Sequence, residues 1–241
     1  MRKVLALTGA DRVEFLQGLV TNDVTKADIV YAALLTPQGK FIADFFVIAK
    51  ADRLLIDVAE THAAPLFQRL TMYRLRADVQ ISETDLVVSR GVGDPPEGAL
   101  ADPRHPALGW RLYGDTDMSD DTNWDALRVA HLVPETGNEL TPETYILEAN
   151  FEALNGVDFK KGCFVGQEIV ARMKHKTELR KGLARVSVTG TAEPGAAITS
   201  DGKPVGTLHT RVGDNALAYL RFDRATSDMQ ADAATVRLVS D

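Results

Sequence analysis

Residues 155–185 read NGVDFKKGCFVGQEIVARMKHKTELRKGLAR. The stretch contains the single cysteine of the chain, Cys163, and eight of its 27 Lys and Arg residues, in a protein of formal net charge -7. Asn155-Gly156 and Lys161-Gly162 are turn signals, because glycine takes positive φ without a Cβ clash and asparagine does so better than most residues. From Val165 the pattern becomes helical. Ile169, Val170 and Met173 form an apolar stripe, and Glu168 and Arg172 stand in the favourable acid-first order one turn apart. The element reads as a loop followed by a helix, with Cys163 just ahead of the first turn. Unpaired N–H groups at a helix start carry partial positive charge, and Lys160 and Lys161 add to that field. A thiol there is expected to ionise readily, which makes Cys163 a candidate nucleophile or soft ligand. The same position suits a carboxylate or phosphate. Two plainer accounts stand beside these. A lone cysteine is often a small buried hydrophobe, and basic residues such as those at 174–185 often form a solvated helix face.

The run KKGCFVGQE, preceded by NGVDF and followed by RKGL, resembles the diagnostic motif of the YgfZ-type folate-binding family, K-G-C-aromatic-x-G-Q-E. That family is related to the aminomethyltransferase (T-protein) of the glycine cleavage system. Here the motif falls on Lys161, Gly162, Cys163, Phe164, Gly166, Gln167 and Glu168. Three further segments are similar and collinear: FLQGLVTNDV at 15–24, LLTPQGKFIADFFV at 34–47, and LEANF, which contains Glu148. The resemblance implies an α+β fold, a ring-like arrangement of antiparallel-sheet subdomains with helices, plus a small C-terminal β-barrel. It implies a tetrahydrofolate site in a central channel, with contacts from Asn22, Asp23, Asp44, Glu148, Lys161, Gln167, Glu168 and Arg172. It further implies a role in assembling or repairing iron–sulfur enzymes, with Cys163 acting on a partner, either an iron–sulfur assembly factor or a client enzyme. One departure stands out. Aminomethyltransferases carry two adjacent aspartates in the central hairpin, and this chain has Ala43-Asp44. That weighs against folate-dependent aminomethyl transfer, which stays as the alternative with Asp44 or Asp23 as substitute.

At 241 residues the chain can bury a sizeable core in one large domain or two. Its 45% hydrophobic and 25% charged content is that of a soluble globular protein. The acidic balance argues against a broad nucleic-acid surface. One cysteine excludes an internal disulfide and cannot by itself complete the ligand set of an iron–sulfur cluster. No His-Cys-Asp cluster has the spacing of a structural metal site. No apolar run approaches the roughly 18 residues that span a bilayer, and the apolar part of MRKVLALTGADRVEF is too short for a signal peptide. The expectation is a cytoplasmic protein with no membrane partner.

Along the chain, residues 3–7 read as a strand. Asp11 is expected to cap a helix, with Glu14 completing a capping box and Phe15, Leu16, Leu19 and Val20 on the buried face. Residues 30–35, 41–49 and 53–58 read as antiparallel strands, since their connections are too short for crossovers. Asp44 inside this apolar run is costly unless paired or facing a polar channel, and an outward-facing carboxylate is the simpler account. A helix at 61–74 and strands at 79–81 and 86–92 follow. The segment at 93–109, with four prolines, reads as a surface connection between two subdomains. Residues 122–132 form a helix with Thr122 as N-cap. Beyond 180, short alternating strands at 182–188, 203–210, 216–221 and 235–239 suggest a small barrel. The expected division is a folate-binding region at 1–180 and a barrel at 181–241. The anionic folate tail suits Arg172, Lys174 or Arg180, and Glu148 can accept pterin N–H groups. A hydrolase pairing Cys163 with His175 is disfavoured, because their spacing along one helix is roughly 18 Å.

Overall fold

Residues 29–35, IVYAALL, are buried at every position, so the strand they form must be covered on both faces. The computed structural model of the chain describes residues 1–175, 179–225 and 228–239. Lys176 and Glu178 of the basic stretch lie outside these. Contacts divide the chain into two compact units, Met1–Thr122 with Phe151–Ala171, and Asn123–Asn150 with Arg172–Asp241. This differs from a single cut at residue 180.

The first unit contains β1 (Arg2–Thr8), α1 (Arg12–Gln17), β2 (Ile29–Leu35), β3 (Phe41–Ala49), β4 (Leu54–Ala59), α2 (Glu60–Arg74) and β5 (Gln80–Glu83). The strands form one sheet in the order β2-β3-β4-β1-β5, antiparallel throughout. Strand alternation sorts its two faces. Leu5, Leu7, Phe45, Val47, Ile56 and Val58 pack with Leu16, Leu66 and Leu70 of the helices. Tyr31, Asp44, Phe46 and Asp57 occupy the other face, where register sets Tyr31 opposite Phe46 and Phe46 opposite Asp57.

That second face is closed by charge. A three-stranded sheet follows, formed by β6 (Val87–Gly91), β7 (Leu100–Ala101) and β8 (Trp110–Gly114) in the order β6-β8-β7. Arg111 of β8, only 1% exposed, lies 3.9 Å over the Phe46 ring and donates to Asp57 Oδ2 at 2.6 Å. Arg2 and the Tyr113 hydroxyl also donate to the Asp57 carboxylate. Arg104 lies 4.8 Å over the same ring and pairs with Asp102 at 2.8 Å. Burial alone would raise the Asp57 pKa, but Arg2 and Arg111 outweigh it and hold the carboxyl below the ordinary range. The proline-rich segment at 93–109 is therefore more than a surface connection, because it supplies Asp102 and Arg104 to this network. Asp44 is buried as well and accepts the Tyr31 hydroxyl at 3.0 Å. The outward-facing Asp44 is corrected accordingly: an aromatic phenol pairs it, so burial is tolerated.

The capping box at Asp11 does not form. The Asp11 carboxylate instead accepts the Asp78 N–H at 2.8 Å, while Ala10 N–H donates to the Asp78 carboxylate at 3.2 Å. The two aspartates clasp the loops at one end of the sheet.

The second unit contains α3 (Trp124–Ala130) and a 3-10 turn, Ile146–Ala149, that carries Glu148. The cap of α3 is Asn123, which accepts the Ala126 N–H at 3.0 Å, one residue after the expected Thr122. Helix α4 (Gln167–His175) runs through the division at Ala171. Then come β9 (Lys181–Thr189), β10 (Ala197–Ser200), β11 (Lys203–Val212), β12 (Asn215–Arg221), β13 (Met229–Ala231) and β14 (Ala234–Leu238). They close into a barrel in the order β10-β11-β12-β9-β14-β13, with Val186, Val188, Ile198, Leu208, Leu220 and Val236 inside. Residues Asn123–Asn150 cluster with the barrel for a physical reason. Buried Arg128 donates to Glu139 at 3.0 Å, and Glu139 accepts the Thr210 hydroxyl of β11 at 2.6 Å. Val129 packs with Leu183 and Leu217.

Candidate functional site

The motif loop belongs to the first unit and is fixed at three points. Lys161 is 8% exposed. Its ammonium donates to the carbonyls of Gln17 at 2.7 Å and Val20 at 2.5 Å. These lie at and just beyond the C-terminal end of α1, where carbonyls lack helical partners and a cation is favoured. Phe164 is buried, with its ring centroid 5.3 Å from the Lys161 ammonium. Gly166 adopts φ +85°, and a Cβ there would sit 2.7 Å from the Thr36 carbonyl in the β2–β3 turn. Between these anchors Cys163 is exposed. Helix α4 begins only at Gln167, so Cys163 stands outside its first turn. Burial draws the Lys161 pKa down to about 8, against the opposing pull of Asp23 and Asp158.

Several implied folate contacts serve the fold. Asn22 is fully buried. It donates to the carbonyls of Tyr31 at 2.7 Å and Asn155 at 2.6 Å, and its oxygen accepts from the Asp23 N–H and from Lys26. It thereby ties the loop after α1 to the turn ahead of the motif. Asp23 Oδ1 accepts the Thr25 hydroxyl at 2.7 Å and Gln17 Nε2 at 3.1 Å. The Thr25 hydrogen bonds chiefly, with Gln17 and Lys161, lower its pKa. Gln167 and Glu168 form the first turn of α4, with Glu168 exposed.

Glu148 and Arg172 belong to the second unit. Gly182 of β9 lets the barrel approach the 3-10 turn closely, since a Cβ there would meet the Glu148 carbonyl at 2.9 Å. The Glu148 carboxylate, in a residue 8% exposed, accepts the Tyr219 hydroxyl on Oε2 at 2.6 Å. The Lys181 ammonium stands 3.8 Å from the same oxygen. Burial, reinforced by Glu148, pushes the Tyr219 pKa well up, so the phenol stays a donor. Glu148, Met173, Arg180, Lys181, Tyr219 and Arg221 line an open cleft of about 1050 Å³. It combines one nearly buried acid, an aromatic ring and three cations. Arg172 is exposed on α4 and is not part of this lining. Sequence reasoning reached Glu148 and Arg180 but missed Lys181, Tyr219 and Arg221. The only signal for the last two is alternation in NALAYLR, which puts Tyr219 and Arg221 on the outer face of β12.

Residues 180–240 match the family model described as CAF17, C-terminal beta-barrel domain. The chain is 28% identical to the mitochondrial iron-sulfur cluster assembly factor IBA57 homolog of Phaeosphaeria nodorum, over 94% of this chain and 70% of that protein. It is 30% identical to the homolog of Mycosarcoma maydis, over 80% and 57%. To mitochondrial IBA57 of Homo sapiens it is 29% identical, over 97% and 79%. Across such relatives the chain spans from half to about four-fifths of their length. The structure matches the crystal structure of glycine cleavage system aminomethyltransferase T from Bartonella henselae with a TM-score of 0.81, at 14% identity, over 100% of this chain and 83% of that one. The α+β fold with its closed C-terminal barrel is thus the aminomethyltransferase fold that the resemblance implied. These relatives are named IBA57 rather than YgfZ, and their names call them iron-sulfur cluster assembly factors. The cytoplasmic expectation is corrected, because these relatives are named mitochondrial. It rested on cysteine count and missing apolar spans, and neither separates one reducing compartment from another. Among the described residues no helix is long and apolar enough to cross a membrane.

Proposed function

We propose that this chain is an accessory protein for the assembly or repair of iron–sulfur enzymes, that it binds tetrahydrofolate, and that it acts through Cys163. The observation that carries the first part is similarity over most of the chain to proteins named iron-sulfur cluster assembly factors. For folate the support is the chemistry of the second-unit cleft. Glu148 offers an acceptor to an N–H edge such as that of a pterin. Arg180, Lys181 and Arg221 suit the carboxylates of the tail, and Met173 and Tyr219 provide apolar surface. Bound folate would supply a carrier for a one-carbon unit. Cys163, exposed between anchored residues, is accessible to a partner. One thiolate leaves a cluster incompletely ligated, so the partner supplies the remaining ligands.

Aminomethyl transfer is the second reading, since the fold is shared with an aminomethyltransferase. Ala43 has no acidic group, and the Asp44 carboxylate is buried against Tyr31, which disfavours a base at either position. Anaerobic calorimetry with tetrahydrofolate, on wild type and Glu148→Ala, tests the folate reading. Saturable binding weakened in the variant supports it, and no binding by wild type rejects it. Iron–sulfur enzyme activities in null cells given Cys163→Ala test the thiol: loss is expected, and full rescue would remove Cys163 from the mechanism.

A further inference from the structure

The two oxygens of Glu148 are not equivalent. Oε2 holds the Tyr219 hydroxyl at 2.6 Å and faces the Lys181 ammonium at 3.8 Å. Oε1 makes no hydrogen bond among the described residues, and its residue lines the cleft. The donor is rigidly mounted. Tyr219 lies on β12, paired with β11 on one side and β9 on the other, and its neighbours Ala218 and Leu220 are locked in the barrel core. The Lys181 ammonium is 5.6 Å from the Tyr219 ring centroid. A carboxylate free to rotate about its last bond would present either oxygen. One short bond to a fixed phenol removes that freedom.

We propose that Tyr219 is a positioning residue that sets the ligand selectivity of the cleft: by occupying Oε2 it aims Oε1 outward, so the cleft takes ligands with an N–H donor edge at one end and carboxylates at the other. This rests on the folate reading above and adds the residue that discriminates. A site built to accept N–H groups rejects analogues lacking them, because its own polar group is then left unpaired. Tyr219 enforces that rejection through Glu148, without touching the ligand edge itself.

The test uses the full chain and two probes. Tetrahydrofolate carries both ends, whereas p-aminobenzoylglutamate keeps the carboxylates and lacks the pterin. Tyr219→Phe is expected to weaken tetrahydrofolate roughly ten-fold and to leave the affinity for the fragment unchanged. Equal weakening of both probes would reduce Tyr219 to a structural part. Unchanged tetrahydrofolate affinity would overturn the proposal while leaving folate binding in place, and a wild type that binds neither probe would overturn both. A second variant gives an independent reading. In Glu148→Gln, the phenol and the Lys181 ammonium hold the amide oxygen, turning the NH2 group toward the cleft, so tetrahydrofolate affinity falls. Adding Tyr219→Phe frees the amide to turn, and affinity recovers in part. A double variant no better than Glu148→Gln alone counts against the proposal.

Discussion

Asp57 is fully buried and accepts hydrogen bonds from Arg2, Arg111 and Tyr113. Replacing it with alanine removes the carboxylate that compensates Arg111. Arg2 has a quarter of its side chain exposed and can return to water, whereas Arg111, with 2% exposed, cannot. Arg111 would keep the Tyr113 hydroxyl at 3.3 Å, the longer contact to Asp102 at 3.5 Å and the Phe46 ring, none of which replaces the lost carboxylate. Removing one partner of a buried pair costs about 3–5 kcal/mol, a large share of the roughly 5–15 kcal/mol that holds a domain together. Urea unfolding followed by Trp110 fluorescence, with Trp124→Phe as background, reports on the first unit. The double variant Asp57→Leu/Arg111→Leu removes both charges and should recover much of the loss. A cost below about 1 kcal/mol for Asp57→Ala, or a double variant no better than the single, would refute the account. The pH dependence has a defined sign. Because the folded pKa lies below the ordinary 3.8, the stabilisation is present above that value and is lost as pH falls through the lower, folded one. The gap between wild type and Asp57→Ala should therefore narrow only in strong acid.

Gly166→Ala must adopt positive φ and approach the Thr36 carbonyl to 2.7 Å, so it should cost more than about 1 kcal/mol, and a neutral result in chemical denaturation would remove the glycine requirement. Cys163→Ala alters an exposed side chain and should shift stability by no more than about 0.5 kcal/mol; a Tm loss of many degrees would show that the thiol is structural. Lys161 has its pKa drawn from 10.5 to about 8 by burial. Between those values the unfolded chain binds more protons, so wild-type stability relative to Lys161→Met should rise with pH across that window, and a flat difference would show that the ammonium is not desolvated.

Much of the first sheet and the barrel is legible locally. The apolar runs of β2 and β3 and the alternation in β9, β11, β12 and β14 mark strands without knowledge of their partners. Charge inside the fold is less legible. Arg111 and Asp57 are separated by 54 residues, and neither segment announces the other. Lys161 looks like one more member of a basic surface run, yet its ammonium is held by carbonyls 141 and 144 residues earlier in the chain. The same limit applies at the cleft. Glu148 is conspicuous as an acid in an apolar stretch, whereas Tyr219 and Arg221 look like ordinary outward residues until the 3-10 turn is placed beside them. Asp11 shows the opposite error, since a good capping pattern loses to a more distant pair of loops.

The two units interleave along the chain. Phe151–Ala171 belongs with the first unit, yet it follows Asn123–Asn150, which belongs with the second. On the ribosome, residues 1–122 emerge without Phe151, which stacks on Tyr31 at 5.1 Å, and without Lys161 at the end of α1. Strand β9 must then wait for β14 before the barrel can close. A single protease nick or a premature stop therefore cannot release one intact half. Quality control should see this chain as all or nothing, and fragments designed by cutting once should be sought in inclusion bodies rather than in solution.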